Sequence, residues 1–378
     1  MTSKYTVYGS EKIDRKIDKD LKTISSAVQS EFDNSEITAL ILGGGYGRGE
    51  GGVFLEKGQE QLFNDYDLFV IISNCSRKKR NKIFQRLQKV SHELEQVISI
   101  EVDFSVPLRE NEICDLPFYL IWYELKNGYQ IFYGDEQILV QMPDYEGSEI
   151  PIMEGLKLLL NRAAGLLLAQ RRIEHRSQLN CDDREFVFRN IQKAIQAAGD
   201  AYLMTKNNYH YSYQNRQKLL TKYSEDEIID KNDFIELYHK SIQYKLKPFS
   251  IENSMSQLKE LLDKIFPVYE QFYLKAFAEY FGSQKLDWQE YLELISSHST
   301  NDSFKDRLKN IYLNLRIDGL RNPAWKWYAR YPRYRLFFAV PFVIFSALEK
   351  NSNLDTVLPS NIEVNSEKAF LQLWQRYN

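Results

Sequence analysis

The sequence predicts an α+β protein in which an N-terminal domain, a mixed sheet with flanking helices, is followed by an all-α domain. Three observations carry this. Apolar spacing over roughly the first 148 residues switches between helical period and strand-like runs, whereas from about Pro151 onward it is helical nearly throughout. Seven of the chain's 17 glycines crowd into Leu40–Gly52. At 378 residues the chain exceeds the size at which one core stops growing, so two domains are expected, 1–148 and 149–378.

Residues 12–32 read as a helix, with Ile13, Ile17, Leu21, Ile24 and Val28 recurring at three- and four-residue steps. ITALILGG reads as a buried strand that ends in glycine. After GYGRGEGG the polar stretch LEKGQEQLFN reads as a loop, and DYDLFVIIS as a second strand rich in β-branched and aromatic residues. Residues 77–97 have helical spacing. ISIEVDFSVPL reads as a third strand, with Ile100, Val102, Phe104 and Val106 on one face and Glu101, Asp103 and Ser105 on the other. Asn127-Gly128 is a hairpin signal, flanked by strands or by a helix and a strand.

The chemistry is concentrated in two of these stretches. Dense glycine lets a backbone approach another group closely, which suits a phosphate. Asp65 and Asp67, one residue apart on a strand, project to the same side, and Asp103 projects from a third strand beside Glu101. Hard divalent cations take such oxygen ligands together with substrate phosphates.

The sequences GGYGRGE, DYDL and EVDFS, in that order, resemble the nucleotidyltransferase superfamily related to DNA polymerase β. The glycine form is similar to that of bacterial uridylyltransferases and small bacterial nucleotidyltransferases. The match covers roughly residues 36–106. The resemblance implies a polymerase-β-like domain that moves a nucleoside monophosphate from an NTP, ATP in the first instance, to an acceptor hydroxyl with release of pyrophosphate. It implies that Asp65, Asp67 and Asp103 hold two Mg²⁺ ions, or Mn²⁺ in their place, with Asp103 or Glu101 as base. Gly44, Gly45 and Tyr46 would lie against the nucleotide. Arg48 and Glu50 have two roles open to them, contact with phosphate or bracing of the turn. The gap from Gly45 to Asp65 is longer than the family pattern, and a surface insertion accommodates it at little cost.

In the helical half, Arg189, Lys193, Gln196 and Asp200 fall on one helix face, and Lys193 is the residue the resemblance would give to the triphosphate. Residues 207–216 and 321–338 interleave aromatic rings with polar or basic residues. Either could stack on bases, or the second lie at a membrane surface, but core packing explains both equally well or better.

Other classes are disfavoured. The front 150 residues carry 17 Lys and Arg against 25 Asp and Glu, the remainder 32 against 27, so no strongly basic stripe points to nucleic acid. Cys75, Cys114 and Cys181 are odd in number and far apart, against a disulfide framework or thiolate metal site. No zinc spacing and no GxSxG elbow occur. The longest apolar run, Leu336–Leu348, is too short for a membrane span, and the N-terminus lacks secretory-signal character, so a cytoplasmic protein is expected. Of the acceptors that fit, a small molecule or a protein is expected ahead of a nucleotide, with an RNA end last. The alternative is a non-catalytic NTP sensor or antitoxin-like partner with the same fold.

Overall fold

The apolar run Ile37–Leu42 forms β1, an internal strand of a mixed sheet, because its side chains are covered on both faces. The computed structural model describes residues 3–230, 233–298, 302–318, 325–349, 354, 357, 358 and 365–377. Before β1 comes helix α1 (Glu11–Glu31); after it come a short turn of helix α2 (Gly44–Gly47), β2 (Gly52–Glu56), β3 (Gln59–Phe63) and β4 (Asp65–Ile72). Next are α3 (Arg77–Leu94), β5 (Glu101–Phe104), β6 (Leu108–Arg109), α4 (Leu120–Asn127) and β7 (Gln130–Gly134).

The sheet order is β5-β4-β1-β7, with β6 also pairing with β4. β1 is antiparallel to β4 and β7, whereas β4 runs parallel to β5 and β6. One sheet face, with Leu40, Tyr66, Leu68, Val102 and Phe104, packs in a core with the apolar stripes of α1 and α3. Tyr66 donates its hydroxyl to Asp20 of α1 at 3.0 Å. The other face, with Ala39, Ile41, Phe69 and Ile71, is covered by Leu125 of α4 and by Ile113, Leu139 and Met142 from the connections.

Three sequence expectations change. The stretch expected as a polar loop is instead the β2–β3 hairpin, turned by Lys57 and Gly58 at φ 49° and 78°. The polarity of residues 55–64 hid it, since of these only Leu62 is buried while Leu55 is 62% exposed. Asn127-Gly128 does not close a hairpin but stands in the other expected setting, between a helix and a strand: it ends α4 ahead of β7, and a Cβ at Gly128 would overlap the Arg48 side chain. The third strand stops at Phe104, leaving Val106 53% exposed rather than on the buried face.

Beyond Pro151 the described elements are helices: α5 (Ile152–Glu174), α6 (Cys181–Thr205), α7 (Tyr213–Thr221), α8 (Glu227–Asp230) and α9 (Phe234–Leu246). They continue with α10 (Met255–Phe281), α11 (Trp288–Ser297), α12 (Phe304–Asp318), α13 (Trp325–Tyr328), α14 (Arg333–Val343) and α15 (Ser366–Tyr377). No described helix is long and apolar enough to cross a membrane.

The chain divides into two compact units, and the division is not linear. The first comprises Met1–Pro151, Lys206–Ser224 and Ile235–Ser250, so α7 and most of α9 belong with the sheet. The second comprises Ile152–Thr205, Glu225–Phe234 and Ile251–Asn378. In the second unit α5, α6 and α10 pack on one another; Tyr269 of α10 donates its buried hydroxyl to the Leu159 carbonyl of α5 at 2.6 Å. α10 starts at a reciprocal cap, Ser254 accepting from the Gln257 N–H and Gln257 from that of Ser254.

Candidate functional site

Parallel pairing sets the carboxylates side by side. Asp67 of β4 is in register with Asp103 of β5, and Asp65 with Glu101, while Tyr66 pairs with Val102 on the buried face. Because register partners on neighbouring strands share a face, the three aspartates lie on one side of the sheet. Asn64, at φ 76°, turns the chain into β4 and donates its amide to Asp65.

The glycine turn closes over Asp67. β1 ends opposite the start of β4, and the Gly43 N–H donates to the Asp67 carbonyl at 2.9 Å. Gly44 follows at φ 58°, where a Cβ would overlap the Asp67 carboxylate, so backbone alone fits between turn and acid. Burial, then repulsion from Asp65, raises the Asp67 carboxyl to about 6, although Lys245 and Arg48 pull it down. Partial burial and Asp65 also raise Asp103.

The remaining residues of the turn brace it. Tyr46 is buried, its hydroxyl donating to the Gly52 carbonyl at 2.8 Å and accepting from the Phe63 N–H at 3.0 Å, which clasps the base of the hairpin. Arg48 and Glu50 do not pair with each other. Arg48 meets Glu124 of α4 at 3.3 Å and lies over the Tyr213 ring. Glu50 accepts from Ser212 Oγ at 2.7 Å and from the backbone N–H groups of Tyr213 and Gln214 at 2.9 and 3.3 Å, so its charge sits at the start of α7.

Glu124 is the hub behind the turn. Besides Arg48 it faces Arg216 at 3.8 Å and accepts from the Tyr209 hydroxyl at 2.6 Å. Burial would raise its carboxyl, but Arg48 and Arg216 together hold it below the usual range. Arg216 is buried between the Tyr209 and Tyr213 rings, at 4.9 and 4.2 Å from their centroids. The tyrosines of the 207–216 stretch are thus used in packing around this hub.

Lys193, by contrast, lies half-buried on α6 in the second unit, and Asp200 of the same expected face is buried. Within the first unit the lysine whose field reaches both Asp67 and Glu124 is Lys245 of α9. The Lys245 side chain makes no direct ion pair or hydrogen bond among the described residues. Sequence reasoning missed Lys245, Glu124 and Arg216, since no local spacing marks them. In the 321–338 segment, residues 321–324 lie outside the described residues; Arg330 donates to the carbonyls of Ile295 and Ser296 at 2.8 Å, and Arg335 is buried.

Among the described residues no three His, Cys, Asp or Glu side chains are gathered as a metal-binding group. The donor set nevertheless suits a hard cation: it is all oxygen, lies on one face in register, and its central carboxyl is raised by burial and then by its acidic neighbour. The fold and site together define a mixed helix-and-sheet protein with an acidic cluster under a glycine turn. No family model matches the chain, and no curated protein is significantly similar to it.

Proposed function

We propose that the chain is a nucleotidyltransferase with a polymerase-β-like first unit, transferring a nucleoside monophosphate from an NTP to a hydroxyl of a small molecule or protein. The observation that carries this reading is the register of Asp67 with Asp103, with Gly44 of the turn packed so closely on the Asp67 carboxylate that a Cβ there would overlap it.

In this mechanism the acceptor oxygen attacks the α-phosphorus, the bond from that phosphorus to the bridging oxygen breaks, and pyrophosphate departs. Asp103, the most exposed of the three aspartates, takes the hydroxyl proton. Mg²⁺ or Mn²⁺, when held by Asp65, Asp67 and Asp103, supplies charge neutralisation at the reacting phosphate. The backbone of Gly44 and Gly45 approaches the phosphates without side-chain obstruction, and Lys245 offsets part of their charge. Arg48, Glu124 and Glu50 keep the turn in place from behind.

The test is pyrophosphate release from each NTP in the presence of Mg²⁺ and cell extract. Wild type is expected to release it, and Asp65→Asn with Asp67→Asn to fall to background while keeping its circular-dichroism spectrum. Release by the double variant at the wild-type rate would refute the assignment. NTP binding by the wild type without any release would mark a sensor instead.

A further inference from the structure

The first unit contains a cavity of about 560 Å³ whose walls come from α7, α9 and the segment before α1. Its polar lining includes Tyr8, Gln214, Gln217, Lys218, Thr221, His239 and Gln243, and it shares no residue with the aspartate cluster. Ile242 and Leu246, both buried, form its apolar floor.

The chemistry of these walls is selective. A carboxamide offers both donors and an acceptor, so three of them match a molecule that presents several hydroxyls. Gln217 is oriented by donating to the His239 carbonyl at 3.3 Å, which leaves its side-chain oxygen as an acceptor. The side chains of Gln214, Gln243 and Lys218 make no hydrogen bond or ion pair among the described residues. Among the described residues no carboxylate lines the cavity and Lys218 is the lysine in its wall, with Lys247 nearby over the Tyr8 ring, a balance that disfavours cationic ligands and suits an anionic group. The volume falls within the range of small-molecule sites, and the apolar floor suits the C–H face of a sugar ring.

We propose that this cavity binds a sugar bearing one phosphate, its hydroxyls on the three glutamine carboxamides and its phosphate on Lys218. The site operates independently of the carboxylates and goes beyond the transfer reaction.

Calorimetric titration of the full chain with glucose 6-phosphate and ribose 5-phosphate tests it, with glucose and inorganic phosphate as controls. At least one phosphosugar is expected to bind saturably and ~10-fold more tightly than either control. Lys218→Ala and Gln243→Ala, both at exposed positions, are each expected to weaken that binding by about tenfold, whereas Asp65→Asn with Asp67→Asn leaves it unchanged. Absence of binding by both phosphosugars, equal affinity for a control, or indifference to both cavity variants overturns the proposal. None of these outcomes depends on pyrophosphate release, so the two readings fail separately.

Discussion

Asp67 is where the acidic cluster and the glycine turn meet, and its protonation has a consequence for stability. Its ordinary value of 3.8 is raised to about 6 in the folded chain. Between these values the folded state holds a proton that the unfolded state has released. The group's contribution is therefore complete below the lower value and lost as pH rises through the upper one. Asp67→Asn removes this partly buried charge, and in metal-free solution it is expected to raise the unfolding free energy by about 1–3 kcal/mol near pH 7.5, with little gain near pH 4. Urea titrations at the two pH values check this; a variant destabilised equally at both would mean that the carboxylate is not repelled. The three aspartates were legible in the sequence because strand alternation fixes the side to which each projects, and apolar Tyr66, Val102 and Phe104 mark the opposite face.

At the level of elements, what could be read locally was α1, α3 and the long apolar strands, whose periodicity is set by the core they cover. The β2–β3 hairpin escaped because β3 and its turn are polar and Leu55 is exposed, and Asn127-Gly128 misled because the same dipeptide that closes hairpins also ends helices. The link from α4 to α7 through Glu124 was illegible for another reason: Glu124 and Arg216 are brought together only by the return of a distant segment. Glu124→Gln leaves Arg48 and Arg216 facing each other without the charge between them. It is expected to lower the unfolding free energy by about 2–4 kcal/mol at neutral pH, as measured by denaturant unfolding. Because the Glu124 carboxyl is held low, the wild type's advantage over the variant should fade as pH drops through the acidic range where that carboxyl protonates.

For the whole molecule, the expectation of a front sheet domain and a rear helical domain captured the order of the elements but not their grouping. Helical periodicity reports that α7 and α9 are helices; it carries no information about which core they join. The hub around Glu124 and the field of Lys245 both come from these returning segments. A fragment 1–148 is accordingly expected to lack cooperative thermal unfolding, whereas a fragment 1–250 retains every residue of the first unit and should gain near-UV aromatic signal relative to it. Circular dichroism on the two fragments distinguishes these outcomes.

The twofold return of the chain also bears on synthesis. The strands leave the ribosome well before Lys206–Ser224 and Ile235–Ser250, with the first helices of the other unit emerging in between. At about 5–20 residues per second, the half-finished sheet waits on the order of 5–20 s for its closing helices. Through that interval the binding partners of Arg48 and Glu50 on α7 do not yet exist, so the glycine turn is held only by Glu124 and by the clasp of Tyr46 on the hairpin.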